Sequence, residues 1–421
     1  MINFSRQTLK NGLKTIHIPL ENSNSVTILV LVGTGSRYET KNINGISHFL
    51  EHLFFKGTKN RPSTSAIAHE LDSIGAYYNA FTSEEYTGFF VTCAKNKIDL
   101  ASDILSDILI NSQFDENEIT KEKGVIAEEI NMYEDIPQKQ IIDLTKEHFY
   151  GDTPLGRSTL GTKKIISSLN RTHFLKYLKT HYSAKNSIVA IAGGVDSKTW
   201  KKIINNNFGA FNDHKISPPA KCQINKNSSV RLKIKKTDQT HLTLGFNTFA
   251  RNNENRFTLK LINNILGETM SSRLFTEVRE KRGLAYYVGS DEWYFTDTGA
   301  LVAYAGVDNK RFIEAVEIIT EEIKKLSRAT ITQKELQKAQ DNIEGKIYLG
   351  LETTFSIAEF YGEQELLYED ILKPSEIVQK MKKISLQEVN SLAHKLIKQN
   401  PLKLTSIGPY QNENKLNKLI K

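Results

Sequence analysis

Apolar and polar positions follow two periods along this chain, and the changes of period mark its elements. The opening "MINFSRQTLKNGLKTIHIPL" turns at Lys10–Gly12 and predicts two short strands. The β-branched run "SVTILVLV" closes on Gly33 and Gly35, which predicts a buried strand and then a loop. "GISHFLEHLFFKGTKN" surrounds His48, Glu51 and His52 with Ile46, Phe49, Leu50, Leu53, Phe54 and Phe55, and reads as a helix. "RPSTSAIAHELDSIGA" starts a helix at Pro62 and Ser63 and stops it at Gly75. "YYNAFTSEEYTGFFVTC" reads as strand, turn, strand, and "NKIDLASDILSDILI" has a helical period. A long helix capped by Asp115 runs to Pro137, and "NSIVAIAGGV" is a further buried strand.

Near the midpoint the periods vanish. "NDHKISPPAKCQINKNSS" is polar and carries Pro218 and Pro219, so it is read as a connection. The expected domains are therefore residues 1–212 and 230–421, with a linker over 213–229. Each is about 200 residues, an ordinary domain size. The second half repeats the kind of content of the first. "VRLKIKKTDQTHLTLGFNTF" predicts strands, "NRFTLKLINNILG" and "SSRLFTEVREKRG" helices, and "LAYYVGSDEWYFTDTGALVAYAGV" a strand meander before two more helices. Groups of strands alternating with groups of helices give an α+β class. Two similar domains are expected, each a mostly antiparallel sheet packed with helices, although no residue-level repeat links the halves.

Composition narrows the function. The chain has 421 residues, 39% hydrophobic and 25% charged, with a net charge of +8. Its lysines are interspersed with glutamates, which suits a solvated surface and gives no sign of nucleic-acid binding. Cys93 and Cys222 share no metal-type spacing and fit a reducing compartment. No apolar run approaches the ~18 residues of a membrane span, and the start lacks the apolar core of a signal peptide. A cytoplasmic protein is expected.

The chemistry gathers at the histidines. On a helix, His48 and His52 lie one above the other and can direct two imidazoles at one ion, with Glu51 beside them as a base for an activated water. A catalytic zinc needs a third protein ligand, and the helix after Asp115 offers several glutamates. Glu122, Val125, Ile126 and Glu129 follow i, i+3, i+4, i+7, and Met132 and Tyr133 extend that apolar face, whereas Glu128 lies nearer solvent. A carboxylate on a buried face needs a partner. Glu129 is thus the expected third ligand, and Glu122 the expected hydrogen-bond partner of a ligating histidine. One Zn2+ per chain is expected.

"HFLEH" followed by "EKGVIAEE" resembles the inverted zinc motif of the pitrilysin/insulysin family of zinc endopeptidases. "GSRYE", "GAYYNAFTSEEYT", "MYEDIP", "PLGRSTLGT" and "SSRLFTEVREKRGLAYYV" extend the likeness along most of the chain. In length it is similar to the two-domain subfamily that includes bacterial processing-type peptidases and the mitochondrial processing peptidase β subunit. The resemblance implies His48, His52 and Glu129 as zinc ligands and Glu51 as general base. It implies Arg279 and Tyr286 as donors to the tetrahedral oxyanion. It also implies Asn79 and Ala80 on a strand that docks an extended peptide, and a homodimer or a heterodimer with a related subunit around a chamber. Family members often have a glycine-rich loop before "SSRLF"; here it is "LGETMSSRLF", with Gly267 alone, and no grip on substrate is inferred from it. The alternative is a non-catalytic, peptide-binding partner subunit on the same fold.

Overall fold

The computed structural model describes residues 3–216, 218–222, 224, 227–368 and 370–421. Ser217, Gln223, Asn225 and Lys226, which fall within the expected linker, lie outside the described residues. The first sheet has six strands: β1 (Ser5–Thr8), β2 (Lys14–Pro19), β3 (Ser25–Val32), β4 (Tyr77–Thr82), β5 (Thr87–Ala94) and β6 (Ser187–Gly193). Their order is β1-β2-β6-β3-β5-β4. Only β2 and β6 run parallel. The second sheet has five: β7 (Ser229–Ile234), β8 (Gln239–Thr248), β9 (Ala285–Tyr294), β10 (Gly299–Asp308) and β11 (Lys403–Gly408), in the order β7-β11-β8-β10-β9. Again one pair, β7 with β11, is parallel. The sheets match strand for strand once β1 is set aside. The chain is α+β with two similar domains.

Five helices of the first half matter below: α1 (Ile46–Leu53), α2 (Thr64–Ser73), α3 (Ile98–Ile110), α4 (Glu116–Asp135) and α5 (Pro137–Tyr150). The caps follow the sequence. Ser63 accepts from the Ala66 amide at the start of α2, and Asp115 Oδ1 accepts from the Asn117 and Glu118 amides at the start of α4. Pro137 opens α5, where its missing N–H costs nothing. No helix among the described residues is long and apolar enough to cross a membrane.

The two compact units are each built from three segments. One is Met1–Asn131, Arg157–Ala220 and Leu349–Leu372; the other is Met132–Gly156, Lys221–Tyr348 and Lys373–Lys421. The expected domains were continuous, so α5 and the helix Thr354–Leu367 fall on opposite sides of the division drawn from sequence. The reason is burial. The central strands β3 and β6 are apolar on both faces, and such a sheet needs cover on both. Thr354–Leu367 lies on β3 and β6, with Ile357, Ala358 and Tyr361 buried against Leu29, Leu31 and Ala190. In the second unit α5 lies on β8 and β11, where Thr145 Oγ1 bonds Thr243 Oγ1 at 2.6 Å.

Two stretches read as regular helix are wider. After the helix Arg256–Asn263 the chain winds as a π-helix over Asn264–Glu268, and again over Phe275–Glu280. Gly283, at φ +56, ends the second stretch: its amide donates to Arg279 O and that of Leu284 to Val278 O.

Candidate active site

Helix α1 is short and almost wholly buried. Ile46, Phe49, Leu50 and Leu53 have no exposed surface, and Phe49 packs edge-on to Phe174 of the helix Arg171–His181. With that side fixed, the opposite side carries His48 and His52, whose ring centroids are 4.7 Å apart. Behind α1, Arg61 reaches Asp107, Glu70 and Asp103 at 2.7–3.0 Å and pins the loop that follows the helix.

Helix α4 supplies the carboxylates. Its buried positions are Ile119, Glu122, Ile126 and Ile130. Glu129 stands at the margin of this stripe and Glu128 is exposed. The apolar face expected through Val125 and Met132 is displaced: these side chains are 50% and 44% exposed. The buried stripe is set by Ile119 and Ile126, seven apart, with Ile130 continuing it at four.

Glu129 Oε2 lies 3.4 Å from His48 Nε2 and 3.7 Å from His52 Nε2. Donor atoms of the three residues all fall within 4.8 Å of one another. Two ligands of a tetrahedral zinc at ~2.0–2.1 Å are about 3.3 Å apart, so the spacing suits such an ion. The protonation states suit it too. Burial, then the neighbouring His52, pushes His48 down to about 3, leaving a neutral ring. His52 Nδ1 lies 3.1 Å from Glu122 Oε2. A carboxylate only accepts, so Nδ1 is the donor and Nε2 is the ring atom turned towards Glu129. Lys56 Nζ holds the other Glu122 oxygen at 2.7 Å. Burial would raise the Glu122 carboxyl, but the bonds from His52 and Lys56 outweigh it, and the group stays below its usual range. Two imidazoles from α1 and one carboxylate from α4 form a donor set for zinc.

Glu51 is half-buried beside this group, and Thr82 Oγ1 donates to its Oε2 at 2.6 Å. Burial raises the Glu51 carboxyl, the Thr82 bond and His52 oppose this, and Glu129 adds to it. Thr82 ends β4, the edge strand of the first sheet. Asn79 and Ala80 lie on that strand, and the Ala80 amide donates to Asn79 Oδ1 at 2.9 Å. Arg279 and Tyr286 belong to the second unit. There the Arg279 guanidinium sits over the rings of Phe275 and Tyr286, at 4.9 and 5.9 Å, and Tyr286 is 75% exposed. Sequence reasoning missed Thr82 and Lys56. Lys56, four residues after His52, carried a weak helical signal; Thr82 carried none.

Residues 15–163 match the family described as Insulinase (Peptidase family M16), and residues 168–343 match the Peptidase M16 inactive domain. An uncharacterized zinc protease of Bacillus subtilis is 38% identical over 411 residues, covering 97% of this chain and 98% of that protein. One of Rickettsia bellii is 36% identical over 414 residues, covering 97% and 98%. Among solved structures, a protease from Helicobacter pylori shares the fold with a TM-score of 0.90 at 23% identity, over 97% of this chain and 100% of that one. A peptidase M16 inactive domain from Pseudomonas fluorescens does so with a TM-score of 0.89 at 18% identity, over 97% and 99%. With two histidines and a glutamate converging on one another, and relatives matched over 97% of its length, this chain belongs to the insulinase family of peptidases, family M16.

Proposed function

We propose that this protein is a zinc-dependent endopeptidase that hydrolyses extended or unstructured peptides. The observation that carries the reading is the convergence of His48, His52 and Glu129 with Glu51 alongside. The names of the relatives, zinc proteases, support it. His48, His52 and Glu129 would hold one zinc per chain, which supplies a Lewis acid and lowers the pKa of water. Glu51 takes the proton of the attacking water and passes it to the leaving amine. Thr82 fixes one oxygen of Glu51 during that transfer, and Glu122 keeps the His52 ring turned to its task. The free edge of β4, at Asn79 and Ala80, aligns a peptide through main-chain hydrogen bonds, displacing the local bond from Ala80 to Asn79. Arg279 and Tyr286 are the candidate donors to the oxyanion that develops. The subtype proposed is processing-peptidase-like, working as a homodimer or with a related subunit.

The test is peptide cleavage and zinc content measured together, with and without chelator. Wild type should cleave, and lose cleavage with its zinc. Glu51→Gln should keep its zinc and cleave at least about 10²–10⁴-fold more slowly. Zinc uptake by the wild type without cleavage of any unstructured peptide would leave the non-catalytic alternative standing instead.

A further inference from the structure

Helix α1 begins at a residue that cannot cap it. Its N-cap is Gly45, at φ +94, with no side chain to accept an amide. A larger residue is barred there, because a Cβ on Gly45 would lie 2.6 Å from Leu160 O and 2.8 Å from Ile166 Cδ1. The third helical residue, which in a capping box reaches back to the N-cap amide, is His48, and its ring faces Glu129 instead. Both usual ways of satisfying the first amides are therefore closed. Yet this end of the helix is buried, and buried orphan amides are costly.

Glu39 fills both roles from outside the helix. It follows the short turn Ser36–Tyr38 and is 1% exposed. Its Oε1 accepts from the Ser47 amide at 2.8 Å, and its Oε2 from the Gly45 amide at 2.7 Å and from Asn44 Nδ2 at 2.9 Å. The Glu39 carbonyl in turn accepts from Arg157 Nη2 at 3.1 Å. A carboxylate at a helix N-terminus is also favoured by the helix dipole. Ser47, whose amide it holds, immediately precedes His48, and its hydroxyl lies 2.9 Å from Tyr177 OH.

We infer that Glu39 is a positioning residue for the histidine pair: it stands in for the cap that Gly45 lacks and fixes the start of α1 so that His48 and His52 converge with Glu129. The inference rests on the metal site proposed above. It assigns Glu39 no contact with metal or substrate. Its effect reaches the metal through two backbone amides.

The test compares zinc affinity, by competition with a chromogenic chelator, in wild type, Glu39→Gln and Glu39→Asp at pH 8. Burial pushes the Glu39 carboxyl up to about 7, against the hydrogen bonds from Ser47, Gly45 and Asn44, so it is ionised at that pH. Glu39→Gln keeps the size but turns an NH2 group towards an amide donor. It should weaken zinc binding about 10–100-fold, the usual effect of losing support behind a ligand. Glu39→Asp, one methylene shorter, should fall between and keeps the test open if the glutamine variant does not fold. Asp196→Ala is the control. It removes the cap of the helix Ser197–Phe208, where Asp196 Oδ1 accepts from the Thr199 amide at 2.7 Å, and that helix carries no site residue. It should leave zinc affinity unchanged. Folded Glu39 variants with wild-type affinity, or an equal loss in the control, would overturn the inference while the proposed function stands. A wild type that takes up no zinc would overturn both.

Discussion

Glu128 and Glu129 are neighbours in sequence with different surroundings. Glu128 is exposed and its Oε2 accepts from Asn131 Nδ2, three residues on, at 3.1 Å. Glu129 turns its Oε2 to both histidines. Glu129→Gln should therefore lower zinc affinity by at least tenfold, and Glu128→Gln should change it less than twofold, as read by zinc content after dialysis; the reverse ranking would show that α4 presents the other face. This difference was legible in the sequence because helical phase is local: seven residues separate Glu122 from Glu129, and the helix alone puts them together. Helical phase pointed to the glutamate that faces the histidines although Val125 is not inside, because Ile126 and Glu122 dominate the phase. Thr82 and Glu39 were not legible. Each meets its partner through a loop or across a sheet edge, with no period to announce it. Hydroxyl and carboxylate contacts of that kind depend on where two elements cross, which a pattern of apolar positions does not encode.

Among the elements, α5 carries a titrating side chain into a buried place. His148 Nδ1 lies 2.9 Å from Thr405 Oγ1 and Nε2 lies 2.7 Å from Ser229 Oγ. Burial, then the charges of Lys403 and Arg231, depresses its pKa from 6.5 to about 4. The unfolded chain thus takes up a proton between these values while the folded one does not. This site's contribution is fully present above pH 6.5 and declines as pH falls towards 4. His148→Gln should cost about 1 kcal/mol at pH 7.5, the scale of one or two lost hydrogen bonds. The wild type's advantage in urea unfolding should shrink on acidification, vanish at about pH 6 and turn into a deficit by about pH 5; an advantage that grows would contradict a neutral His148. Apolar period identified α5 and its neighbours as helices but was blind to the winding over Asn264–Glu268. At that winding a Cβ on Gly267 would lie 2.5 Å from the Ser290 amide on β9, so the strand and the helix approach each other at a glycine. A π-helix keeps helical hydrogen bonding with a wider turn, and sequence spacing cannot distinguish the two.

At the scale of the whole molecule, the two sheets match in topology although no residue-level repeat links the halves. β2-β6-β3-β5-β4 and β7-β11-β8-β10-β9 share order and direction. The sequence showed this as similar content in two halves. It did not show that α5 and Thr354–Leu367 are traded between them, since any amphipathic helix reads alike whichever sheet it covers. The trade has a practical meaning. A fragment of residues 1–212 would leave Leu29, Leu31 and Ala190 uncovered where Ile357, Ala358 and Tyr361 belong. Each large apolar side chain stabilises by ~1.5–3 kcal/mol when buried, against a net stability of ~5–15 kcal/mol for a domain. That fragment should be insoluble when produced alone and rescued when produced together with residues 213–421, the pair then eluting as one species of full-chain mass on gel filtration. A soluble, folded 1–212 would refute this. The peptide connection at 213–229 would then be a convenience of synthesis more than a strut: once folding is complete, a protease that nicks it should free nothing, because each piece already holds one helix hostage in the other's unit.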